Sequence, residues 1–317
     1  MTEATFMTET HNVVYAVDED YWMPLYVSIH SLVSNNPDTS LEIFVLYTER
    51  EESFFGHVAD LTAEYDDVTV TGIEVDERAV GDVPTPHWFT EANLYRFLMG
   101  RVLPLEDEPV LYLDCDTIVD GSLADLFATD LDGAVAAAVP EYKLRSFELG
   151  FQIDSLFYNA GVMYVDLGAW KAHDVEAEAM ERLAGRDDVT YPVQEVLNPI
   201  LNRQDLWQPL HPKYNAMTNW AGVLATETDD QPVIVHYTGP EKPWHYRCER
   251  RHTDLWWRYL EQTPYSGYRP PDKTVGNRLL MARKRAGRRS KQFVWNRLDG
   301  YPRLRRSVAA VYEFVVG

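Results

Sequence analysis

Two aspartates give the first chemical signal. Asp114 and Asp116 stand two residues apart in PVLYLDCDTIVDGSL, at the exit of an apolar run. Residues i and i+2 of a strand share a face, and a departing turn lets both carboxylates converge on one ion. Hard carboxylate oxygens suit Mn2+ or Mg2+. A cation held there would neutralise a diphosphate and assist its departure as a leaving group. Aspartate is also common in ordinary turns, so the pair alone says little. Two more metal-capable residues end apolar runs: Asp18 in HNVVYAVD and His236 in VIVHY. Three such residues at three strand ends form a convergence. No GxxxxGKS loop or GxGxxG turn is present, which weakens the P-loop and dinucleotide readings.

The elements that must hold these residues follow from apolar periodicity. Strands are expected at His11–Asp18, Leu41–Thr48, Val68–Val75, Pro109–Asp114, Ala134–Val139, Gly161–Leu167 and Val233–Tyr237. Helices are expected between them, at Met23–Ser34, Glu51–Tyr65, Glu91–Gly100, Ala169–Leu183, Val193–Asn202 and Thr253–Glu261. Alternating strands and helices imply an α/β fold with a mostly parallel central sheet. In such sheets ligands sit at the carboxyl ends of strands.

Composition bounds the rest. The chain has 317 residues, 45% of them hydrophobic, enough for one large α/β domain with an appendage. Cys115 and Cys248 form neither a disulfide framework nor a CxxC pair, and read as reduced thiols in the cytoplasm. No run approaches the roughly 18 apolar residues of a membrane span. The opening MTEATFMTET lacks a signal-peptide pattern, and residues 1–11 read as a loose tail. The formal net charge of −21 argues against nucleic acid as a partner. It fits either a halophilic source or an ordinary acidic protein. The charge is polarised: residues 269–317 hold 13 Lys/Arg against 3 Asp/Glu. A boundary near Pro270-Pro271 therefore separates a 12–268 domain from a basic amphipathic 269–317 segment.

Taken together, the motifs resemble glycosyltransferase family 8. They are VVYAVDEDY, NLYRFLMGRVLP, VLYLDCDTIVDGSLADLF, YNAGVMYVDLGAWKAHDV, QEVLNPIL and HYTGPEKPWH. That family includes bacterial lipooligosaccharide galactosyl- and glucosyltransferases and glycogenin-like enzymes. The resemblance implies a GT-A (Rossmann-like) nucleotide-sugar-binding domain, retention of anomeric configuration, and Mn2+ with a UDP-sugar. It makes Asp114, Asp116 and His236 the metal ligands. Ala16, Asp18 and Tyr21 would hold the uridine, and Cys115 would touch the nucleotide through its backbone. Asp20 stands where relatives often have Asn. Gly239 and Lys242 would meet the diphosphate, and Arg96 and Asn159 the sugar and phosphate side. Gln194 would lie beneath the anomeric carbon, with Glu195 beside it, and Glu141 would face the acceptor. Many relatives carry Asp-Gln-Asp where this chain has Val193-Gln194-Glu195, so the usual reader of sugar hydroxyls is lost.

The expected reaction moves a hexose, glucose or galactose, to a hydroxyl of a glycan or lipid-linked glycan. Retention needs either a double displacement, for which Glu195 is the candidate nucleophile, or attack from the leaving-group face. Gln194 is too weakly basic for that role, which favours front-face attack. A non-catalytic nucleotide-sugar-binding protein and a sugar nucleotidyltransferase are the competing functions. The basic segment would dock on an anionic membrane, at the inner face of the cell membrane, or fold back onto the acidic body.

Overall fold

A computed structural model of the chain describes residues 9–80, 90–141, 156–184, 192–203, 205–218 and 231–298. Most of the expected N-terminal tail and the last part of the basic segment lie outside the described residues. The described residues divide into two compact units. One runs to Pro243 and resumes over Arg250–Gly267. The other comprises Trp244–Glu249 and the residues from Tyr268 onward.

The first unit opens with β1 (His11–Ala16), α1 (Trp22–Asn35), β2 (Leu41–Tyr47), α2 (Glu52–Thr62) and β3 (Val68–Glu74). His11, assigned above to both tail and strand, belongs to β1. Val13 and Tyr15 pack into the core on one sheet face, Val14 into the core on the other. Both faces are covered at β1 and β2, which is why those two strands read as continuous apolar runs. Each large side chain buried this way contributes about 1.5–3 kcal/mol.

The 3-10 helix Glu91–Leu98 and α3 (Met99–Val102) lead into β4 (Pro109–Leu113) and β5 (Thr117–Val119). Next come α4 (Ala124–Phe127), β6 (Ala136–Glu141), β7 (Phe157–Asp166), α5 (Leu167–Ala172) and α6 (Val175–Leu183). One helix was expected over Ala169–Leu183, but Asp174 adopts φ 50° and splits it. Asp166 caps α5 through a 2.8 Å bond from Ala169 N. Finally come α7 (Gln194–Asn202), β8 (Trp207–Pro209), β9 (Ala216–Met217), β10 (Ile234–His236) and α8 (Thr253–Leu260).

The main sheet has seven strands in the order β3-β2-β1-β4-β7-β6-β8. Only β7 runs against the others. A smaller sheet, β5-β10-β9, starts where β4 ends. Its pairing sets His236 opposite Thr117, and Tyr237 N bonds Asp116 O at 3.0 Å. That pairing carries the histidine to the acidic turn.

The second unit holds a 24-residue helix, α9 (Val275–Leu298). Thr274 Oγ1 caps it, accepting from Asn277 N at 3.2 Å. Asp272 ties the unit together by accepting from Tyr246 N at 2.8 Å and Arg247 N at 3.3 Å. Among the described residues no helix is long and apolar enough to cross a membrane.

Candidate functional site

The acidic pair sits in the turn between β4 and β5, closed by Thr117 N and Oγ1 on Asp114 O at 3.2 and 2.8 Å. The turn aims both carboxylates at His236. Its Nε2 lies 3.2 Å from Asp116 Oδ1 and 3.5 Å from Asp114 Oδ2. One ligand atom from each residue falls within 4.8 Å of the others.

Each aspartate uses its second oxygen elsewhere. Asp114 Oδ1 accepts from Arg96 Nη2 at 2.8 Å and from Tyr112 Oη at 3.1 Å. Asp116 Oδ2 is bonded to Lys242 Nζ, which also reaches Tyr237 O at 3.1 Å. Burial pushes the Asp116 carboxyl up. The Lys242 ammonium, with the His236 ring beside it, outweighs burial and holds the group below the usual carboxylate range.

The backbone beneath is glycine for a steric reason. A Cβ on Gly161 would overlap His236 Cε1 and come within 2.5 Å of Asp114 Oδ2. Gly161 O also receives Asp114 N at 2.8 Å. Two carboxylates and one imidazole over a bare backbone suit a divalent cation preferring oxygen and nitrogen donors.

A chain of amides leads away from the histidine. His236 Nδ1 lies 3.0 Å from Asn215 Oδ1. Asn215 Nδ2 donates to Asn159 Oδ1 at 2.9 Å, and Asn159 Nδ2 donates to Glu141 Oε1 at 2.7 Å. The same Glu141 oxygen accepts Gln194 Nε2 at 3.2 Å. Two features place the far end. A register shift between Ala138 and Pro140 re-aims the end of β6. Asn198 on α7 supplies both bonds to Tyr158 of β7, at 2.7 and 3.0 Å, and holds Gln194 O at 2.9 Å. Asn159 therefore lies inside β7, and Glu141 is the last residue of β6, where the sequence had placed each just outside a strand. Glu195 occupies the next position, in the first turn of α7.

On the β1 side, Cys115 Sγ donates to Ala16 O at 3.0 Å. Burial pushes the thiol well up, so it stays protonated. Asp18 lies two residues past the end of β1, accepting Thr90 Oγ1 at 2.6 Å and Asp20 N at 3.1 Å. Burial raises its carboxyl. Asp20 itself is exposed. Tyr21 precedes α1, with Lys242 Nζ 5.9 Å from its ring centroid. Gly239 is exposed at φ 83° in the loop joining His236 to Lys242. Val193 is 4% exposed and belongs to the apolar core.

Sequence reading missed Gly161, Asn215, Tyr112 and Thr90. Gly161 was visible as a lone glycine in a strand, the mark of a close approach. Nothing in YNAMT pointed to Asn215.

Six near-parallel strands, one reversed strand and an acidic turn at their carboxyl edge define a GT-A fold. The family model for glycosyl transferase family 8 matches residues 12–248, and the chain belongs to that family. It is 28% identical over 279 residues to a lipopolysaccharide 1,2-glucosyltransferase of Escherichia coli, covering 84% of this chain and 82% of that one. It is 26% identical over 246 residues to a lipopolysaccharide 1,3-galactosyltransferase of Salmonella typhimurium, covering 74% and 73%. Glycosyltransferase GlyF of Streptococcus pneumoniae is 30% identical over 260 residues, with 79% of this chain and 61% of that protein covered. The galactosyltransferase LgtC, solved with donor and acceptor sugar analogues, shares the fold with a TM-score of 0.69 and 23% identity, over 84% of this chain and 99% of LgtC. The protein is a hexosyltransferase.

Proposed function

We propose that the chain transfers glucose or galactose from a UDP-sugar to a hydroxyl of a glycan or lipid-linked glycan, with retention and with Mn2+ or Mg2+. The observation that carries this reading is the meeting of Asp114, Asp116 and His236 over Gly161, with Lys242 on the second Asp116 oxygen. A divalent cation at these three ligands would offset charge on the donor diphosphate as the bond to the sugar breaks. Lys242 is placed to share that charge, and Gly239 leaves its backbone accessible beside it. Ala16, Asp18, Asp20, Tyr21 and the Cys115 backbone form the nucleoside side, Tyr21 by stacking. Arg96 and Asn159 hold the sugar and phosphate side.

Gln194 lies beneath the reacting carbon and Glu141 faces the acceptor. The neutral Gln194 steadies an oxocarbenium-like state, and the acceptor attacks from the leaving-group face. The buried, apolar Val193 leaves the reading of sugar hydroxyls to other groups. The 12–268 region is the catalytic domain. The basic segment brings it to an anionic membrane surface at the cytoplasmic side, and the acidity of the body suits a salt-rich cytoplasm.

UDP release from UDP-glucose and UDP-galactose with MnCl2 tests this. Asp116→Ala is expected to abolish it, since one of three ligands is gone. Mass spectrometry during turnover should find no glycosyl adduct on Glu195. Undiminished UDP release by Asp116→Ala ends the metal-site reading, and an adduct on Glu195 ends front-face attack.

A further inference from the structure

Hydrogen-bond direction along the buried amides decides which nitrogen of His236 carries a proton. The starting point is a group that can only donate. Gly161 N–H bonds Asn159 Oδ1 at 3.0 Å, so that atom is the carbonyl oxygen and the other is the NH2. The opposite end agrees: Asn159 Nδ2 faces the Glu141 carboxylate at 2.7 Å, an acceptor. Asn159 Oδ1 in turn requires a donor from its second neighbour. Asn215 must therefore present its NH2 there, at 2.9 Å, and its carbonyl oxygen to His236 Nδ1, at 3.0 Å. A carbonyl oxygen cannot donate, so Nδ1 must carry hydrogen.

The two carboxylates alone favour the opposite outcome. A neutral imidazole beside Asp114 and Asp116 would gain most by placing its proton on Nε2, 3.2 Å from Asp116 Oδ1. That would satisfy the carboxylates without a cation. Asn215 blocks this tautomer, because Nδ1 would then meet a carbonyl oxygen lone pair to lone pair inside the protein. Asn215 is 2% exposed and Asn159 5%, so water is poorly placed to relieve the mismatch.

We propose that Asn215 is the positioning residue of the metal site, holding His236 with its proton on Nδ1 so that the Nε2 lone pair is reserved for the cation. This rests on the reading of His236 as a ligand. It also makes the ligand geometry dependent on Asn159, whose other bond goes to the carboxylate that receives Gln194. The same amide thus orients one residue of the metal site and one of the sugar site.

The test uses the full chain and two readouts besides turnover. Long-range 1H–15N correlation of imidazole should show a proton on Nδ1 of His236 with and without Mg2+. Titration with MnCl2, followed by the electron paramagnetic resonance of free Mn2+, should show Asn215→Ala weaker than wild type by roughly 10- to 100-fold. Asn215→Asp keeps an acceptor for Nδ1–H and should bind Mn2+ more tightly than Asn215→Ala. An unprotonated Nδ1 in the wild-type protein overturns the proposal without any variant. So does wild-type Mn2+ affinity in a folded Asn215→Ala when His236→Ala has lost it. If Asn215→Ala does not fold, the wild-type spectrum and Asn215→Asp decide, and affinity lost in Asp as fully as in His236→Ala counts against the idea. Should His236→Ala itself bind Mn2+ like wild type, the ligand reading falls, and this inference with it.

Discussion

Gly161 has room for a hydrogen and nothing larger. A methyl group there would stand 2.5 Å from Asp114 Oδ2 and 2.9 Å from His236 Nδ1. Both neighbours are side chains, so they would move and the backbone would stay. Gly161→Ala should therefore keep its far-UV circular dichroism while Mn2+ affinity and UDP release fall by at least about tenfold. Wild-type affinity in that variant would show that the side chains have slack and that the close approach has no functional weight. At this scale the sequence spoke through chemical type. The turn acids, the strand-end histidine and Lys242 were legible because charged residues at strand ends stand out against apolar runs. Asn215 and Tyr112 were not, because an amide or phenol has many uses and only its partner tells which.

Short elements carry long-range placement. β5 and β10 have three residues each and β9 two, too few for alternation to register in sequence. Yet they bring His236 to the acidic turn. The expected strand at Val233–Tyr237 was found because its apolar run was continuous. β5, β8 and β9 were missed. The long central strands and α1 were legible because covering both sheet faces leaves an unbroken apolar signature.

What steadies β5 from behind is a part-buried polar link. Asn35, at the end of α1, donates to Val119 O at 3.0 Å and to Tyr259 Oη at 2.7 Å. Tyr259, on α8, donates to Asp120 Oδ1 at 2.6 Å. Burial, then the bond to Asp120, pushes the phenol up to about 12. An unfolded tyrosine ionises near pH 10. The folded state thus keeps a proton that the unfolded chain gives up. The link's contribution is complete below about pH 10 and is lost as pH rises toward 12. Tyr259→Phe should be less stable than wild type at about pH 8 by roughly 1 kcal/mol. The gap should close between about pH 10 and 12 in thermal melts. A gap constant across that range would mean the bond is not what sets the difference.

Charge is the property that only the whole chain displays. A net −21 coexists with a C-terminal segment, from residue 269, of 13 Lys/Arg and 3 Asp/Glu. Such segregation matters because each Lys or Arg near an anionic leaflet contributes about 1 kcal/mol, while scattered charges in a negative field do not accumulate. On α9 the side chains of Arg283, Lys284 and Arg285 are exposed. Val275 and Leu279, one turn apart, are 73% and 68% exposed, with Leu280 beside them at 41%. Apolar side chains open to solvent on a cationic helix are what interfacial binding uses. Wild-type protein should co-sediment with vesicles containing phosphatidylserine and not with phosphatidylcholine alone, and raised salt should release it. Reversing all three charges, Arg283→Glu with Lys284→Glu and Arg285→Glu, removes about 3 kcal/mol or more of attraction. Binding should fall by roughly 100-fold, with UDP release from a soluble donor unchanged. Equal sedimentation with both vesicle types, or indifference to the three reversals, would assign the basic helix some task other than meeting a membrane.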